Sequence, residues 1–79
     1  MTTHTTGPCA RVTTRAAYRA EREHIFPSDS SLDWFIRSNR RALVEAEALL
    51  LIGGRVMVMQ DAFDAALVGI GHAAVREVA

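Results

Sequence analysis

The residues best suited to chemistry lie between Trp34 and Arg55. Trp34, Arg37 and Arg41 fall at i, i+3 and i+7, with Ser38 at i+4 and Arg40 adjoining. On a helix this spacing lines them along one face. Arginine offers a rigid, two-pronged donor to phosphates and to guanine edges, and serine can also reach base edges. A helix so equipped fits the major groove of DNA. Arg55 follows Gly53–Gly54 and, at a hairpin tip, can reach a phosphate. The same residues permit a plainer reading: a solvated helix face in which Asp33 pairs with Arg37, and Arg41 with Glu45, each at i, i+4.

No comparable set of residues points to catalysis. His4, His24 and His72 lie far apart, and none has a partner at metal-ligand spacing. Gly53-Gly54-Arg55 lacks the lysine and serine that complete a phosphate-binding loop. Asp61 and Asp64 are three apart, which suits the first turn of a helix, where the helix dipole favours acids. Cys9 is the only cysteine, so there is no internal disulfide, and no neighbouring base activates its thiol. Five aromatic residues in a chain of 79 supply little wall for a deep pocket. The expectation is a protein that is not an enzyme and has no cofactor, metal or small-molecule substrate.

Size and charge bound the remaining choices. A chain of this length forms one domain and buries only about 60% of its unfolded surface. Close to half of the residues are apolar, which argues against wholesale disorder. The N-terminus lacks a secretory pattern, and the most apolar run, Ala48–Ile52, is far short of the ~20 residues that cross a membrane. A soluble protein in a reducing cytoplasm is expected. Net charge is zero but polarised: through Arg41 there are seven arginines against four acids, and beyond it two against five. The chain has no lysine.

These side chains need elements to position them. Residues 1–12 are Thr-rich and without period, and read as a flexible tail, followed by one small domain over 13–79. Thr13 or Thr14 can cap a helix running to about His24, with Arg15, Arg19 and Arg22 along one face. Phe26-Pro27-Ser28 breaks it. Ser28, Asp29, Ser30 and Ser31 are candidate caps for the next helix, whose apolar stripe is Leu32, Phe35, Ile36 and Leu43. That helix reaches about Glu47, with a possible division near Asn39. Two apolar runs then flank Gly53–Gly54, so Ala48–Val58 predicts a β-hairpin with a two-residue turn. A continuous helix through the adjacent glycines would cost about 2 kcal/mol. Asp61 opens a last helix along Phe63, Leu67, Ile70 and Ala74, weakened at Gly69 and Gly71, which could instead serve close helix packing. The fold class is α+β and mostly helical, with three to four helices and one two-stranded hairpin.

The order of features supplies a resemblance. Ser30-Ser31-Leu32-Asp33-Trp34-Phe35-Ile36-Arg37, a second helical stretch, Gly54-Arg55-Val56-Met57-Val58 and then Asp61-Ala62-Phe63 resembles the excisionase-like winged-helix proteins. These are small DNA-binding proteins of phages, plasmids and integrated elements. The likeness covers roughly Phe26 to Leu67. It implies a winged-helix arrangement and a DNA-binding accessory or regulatory role on double-stranded DNA. Arg37, Ser38, Arg40 and Arg41 would face the groove, Arg55 would sit on the wing, and Trp34, Phe35 and Phe63 would be core. Asp33, Glu45 and Glu47 depart from that pattern. With net neutrality and the apolar Leu49–Met59 surface, they support an alternative: a protein-interaction module, small phage-type inhibitor or homodimer that pairs through its hairpin and does not bind DNA.

Overall fold

The computed structural model describes residues 11–78. Its elements are β1 (Val12–Thr14), α1 (Arg15–Ala20), α2 (Asp29–Ser38), α3 (Arg40–Glu45), β2 (Leu49–Ile52), β3 (Arg55–Met59) and α4 (Gln60–Val78). The chain is thus α+β. The three strands form one antiparallel sheet in the order β1-β3-β2. Positions 1–10 of the expected tail lie outside the described residues, whereas Val12, its last residue, belongs to β1.

The first helix is shorter than its sequence pattern predicts. Of the two expected caps, Thr14 is the one used, and both threonines, β-branched and stiff, also pair in β1 with Val58 and Met57 of β3. Thr14 ends the strand and caps α1, its hydroxyl accepting from the Ala17 amide at 3.0 Å. Residues 21–25, expected in the helix, form turns instead, and the amides of Ile25 and Phe26 both donate to the Arg22 carbonyl before Pro27.

The later elements follow their sequence signals closely. Ser28 caps α2 through a reciprocal pair with Ser31. Asn39 divides α2 from α3, its side-chain amide donating to the Phe35 carbonyl. Gly53 and Gly54, at φ of 59° and 80°, turn the chain within two residues, leaving Ile52 opposite Arg55. Positive φ at both positions is what a type I′ turn requires, and only glycine adopts it without cost. The hairpin is part of a larger sheet than expected, because β1 covers the free side of β3 and leaves β2 at the edge.

The end of α3 carried no glycine signal. Glu47 takes φ 59°, in the left-handed region. The Ala48 amide donates to the Leu43 carbonyl, and the Glu47 amide to that of Val44. This is the bond pattern of a Schellman cap. The apolar contact that accompanies such caps is supplied by Leu43 and Ala48, both fully buried.

The core draws on every helix and on β3: Tyr18, Phe26, Leu32, Ile36, Leu43, Ala48, Val58 and Phe63. Phe63 stacks at a tilt on Tyr18, with ring centres 4.7 Å apart, and on Phe35 at 6.0 Å. Phe35 and Phe63 therefore occupy the interior as expected, Phe35 at its margin. Trp34 does not. It is 64% exposed, because it lies two residues from both Leu32 and Ile36, about 200° around the helix from each. The stripe that buries those two must turn Trp34 outward.

Ala62, Ala66, Leu67 and Ile70 hold the first half of α4 on the core. Every described residue beyond Ile70 is exposed. A Cβ built on Gly69 or Gly71 would meet nothing within 4 Å, so neither glycine serves close helix packing. None of the described helices is long and apolar enough to cross a membrane.

Candidate nucleic-acid interface

Arg76 lies apart in the last turn of α4, and the other eight arginines divide into two groups according to their partners. Those from Arg11 to Arg22, on α1 and flanking it, are bound internally. Arg15 Nη1 donates to Asp33 Oδ1 at 2.9 Å, Arg19 Nε to Asp29 Oδ1 at 2.7 Å, and Arg22 grips Asp64 with two bonds of 2.8 Å. Arg11 pairs with Asp61. By contrast, no carboxylate among the described residues pairs with Arg37, Arg40, Arg41 or Arg55. All four side chains are exposed.

This pairing differs from the i, i+4 pattern that the sequence permits. Asp33 does not bridge to Arg37, nor Glu45 to Arg41. Asp33 and Asp29 instead reach across to α1, where Arg15 and Arg19 are presented at i and i+4. Both acids of α2 are thereby neutralised from behind, and Arg37, at the C-terminal end of α2, keeps its charge free. That placement also suits the helix dipole.

The predicted residues gather at neighbouring openings rather than at one. Arg37 and Arg40 line an open groove of about 450 Å³ between the α2–α3 corner and β2, with Leu49, Leu51 and Val56 on its apolar side. Arg55 and Gly54 line a second groove beside the N-terminal part of α2. The two grooves share Arg15, Asp33 and Val56. Ser38 and Arg41 are exposed but line neither.

Chemically, the surface offers exposed guanidinium groups and the Ser38 hydroxyl, donors that an anion can accept from. Among the described residues no three His, Cys, Asp or Glu side chains gather as a metal site. The strongly perturbed groups are structural and lie at the α1–α4 junction. The Arg22 guanidinium holds the Asp64 carboxyl below the ordinary carboxylate range. Burial, followed by the Asp64 contact, raises Tyr18 well above the usual phenol value.

The helical spacing puts Trp34 on the arginine face and the resemblance puts it in the core; its exposure agrees with the spacing. A 3.6-residue period that buries Leu32 and Ile36 excludes position 34 from the same side. Comparison with known proteins adds no relative: no family model, no curated protein and no solved structure matches the chain.

Proposed function

We propose that this chain is a small double-stranded DNA-binding protein of accessory or regulatory type. In this reading the α2–α3 segment enters the major groove through Arg37, Ser38, Arg40 and Arg41, and the β2–β3 hairpin acts as a wing with Arg55 on the backbone. The observation that carries it is the division of the arginines: the four exposed ones on α2, α3 and the hairpin keep their charge free, while α1 neutralises the acids beside them. Free guanidinium groups on an exposed helical corner bind phosphates and release counterions. The order of helix, turn, helix and hairpin supports an excisionase-like winged-helix arrangement, and with it a place among the DNA-binding proteins of mobile elements.

A gel-shift titration of random-sequence duplex at low and moderate salt tests this. Binding should weaken with added salt, with a slope of log K against log salt of about −3 to −4 for four neutralised phosphates. Absence of salt-sensitive binding to any duplex overturns it.

One observation favours a second reading. β2 is an edge strand, with Leu51 74% and Ile52 51% exposed. Such an edge can pair with a second copy or another protein. Concentration-dependent sedimentation without DNA binding is its signature.

A further inference from the structure

Trp34 is the one feature of the outer face of α2 that phosphate binding does not use. It is 64% exposed, and a large aromatic surface left in water is a standing cost unless a partner covers it. Its position is central. Relative to Trp34, Ser30 and Arg37 lie about 40° and 60° to one side and Ser38 about 40° to the other, all four exposed. The acids of the helix do not compete there, because Asp29 and Asp33 are held by Arg19 and Arg15. An apolar centre within a ring of hydroxyls and a free guanidinium matches a polyanion that carries an apolar group. In the major groove the only such group on a base edge is the C5-methyl of thymine.

Building on the DNA-binding reading above, we propose that Trp34 is a specificity-determining contact that packs its indole against a thymine methyl in the groove occupied by α2. Arg37 anchors the phosphates or a guanine edge beside it, and Ser30 and Ser38 complete the rim. The indole Nε1–H stays free to donate to a base or phosphate acceptor. A convex helix face suits a duplex groove better than a stacking channel, which requires a concave track for a single strand.

Trp34 is the only tryptophan in the chain, so its fluorescence reports this residue alone. The intact protein is titrated at low salt with duplex poly(dA-dT), duplex poly(dA-dU) and single-stranded poly(dT). The thymine duplex should change Trp34 emission and bind about fourfold more tightly than the uracil duplex, the effect of burying one methyl. Trp34→Ala should abolish that preference, whereas Arg41→Ala should weaken both duplexes and keep it. Circular dichroism of each variant establishes that it is folded. Duplex binding with unchanged emission, or with equal affinity for the thymine and uracil duplexes, overturns the contact and leaves the DNA-binding reading standing. Tighter binding to poly(dT) than to the duplexes overturns it in favour of base stacking. Emission that changes with protein concentration alone overturns it in favour of self-association. No binding to any duplex removes both.

Discussion

The Tyr18 hydroxyl donates to Asp64 Oδ1 at 2.6 Å, joining the first helix to the last across 46 positions of sequence. Arg22 completes the junction, with two bonds to the same carboxylate and its guanidinium 3.8 Å from the centre of the Tyr18 ring. Tyr18→Phe should cost about 1 kcal/mol, one net hydrogen bond, while keeping the ring against Phe63. Asp64→Ala should cost more, because it removes both short bonds of Arg22 and leaves only the longer Glu21 contact at a site where its side chain is only 16% exposed. Urea denaturation midpoints measure both, with the m-value unchanged.

Stability should fall at both ends of the pH scale for reasons located at this junction. Asp64 has a lowered pKa when folded, chiefly through its bond from Arg22, so its contribution is complete above the ordinary carboxylate range and is lost as pH falls through the lowered value. Tyr18 has a raised pKa, chiefly through burial, so its contribution holds below its ordinary value of 10.0 and is lost as pH rises beyond it. Tyr18 is the only tyrosine. Tyrosinate absorbance should therefore stay absent at its ordinary titration point and appear together with alkaline unfolding. Ordinary titration in the folded protein contradicts this.

Five backbone positions separate by conformation. Gly53→Ala and Gly54→Ala should each destabilise by about 1–2 kcal/mol, since both positions hold positive φ. Gly69→Ala and Gly71→Ala should each stabilise by up to about 1 kcal/mol, because the helix gains propensity and the methyl enters open space. Glu47→Gly should stabilise by about 1 kcal/mol by relieving the left-handed cap of α3. Thermal midpoints order these variants.

Charge variants probe the proposed interface. Arg37→Ala and Arg40→Ala should each weaken duplex binding and reduce the salt slope by about 1. Asp33→Ala should act in the opposite sense, releasing Arg15 toward the shared grooves and steepening the slope by about 1. Tighter binding in the Asp33 variant separates a phosphate-binding surface from a merely solvated one.

Much of the local structure was determined by the sequence itself. The turn at Gly53–Gly54, the Ser28 cap, the division at Asn39 and the buried stripe of Leu32, Ile36 and Leu43 all rest on interactions between residues a few positions apart. Backbone conformation and helical period dictate such features wherever the segment sits. Only the tertiary structure decided that Thr13 and Thr14 pair with β3, since a strand needs a partner more than forty residues away. It also decided which arginines are free. Arg15 and Arg37 are equally charged and equally able to pair with Asp33, and the packing of α1 against α2 gives the acid to Arg15. The candidate residues between Arg37 and Arg55 were legible as a set of types. That they keep their charge, and that Trp34 stands among them instead of in the core, follows from which faces of α1 and α2 the core consumes.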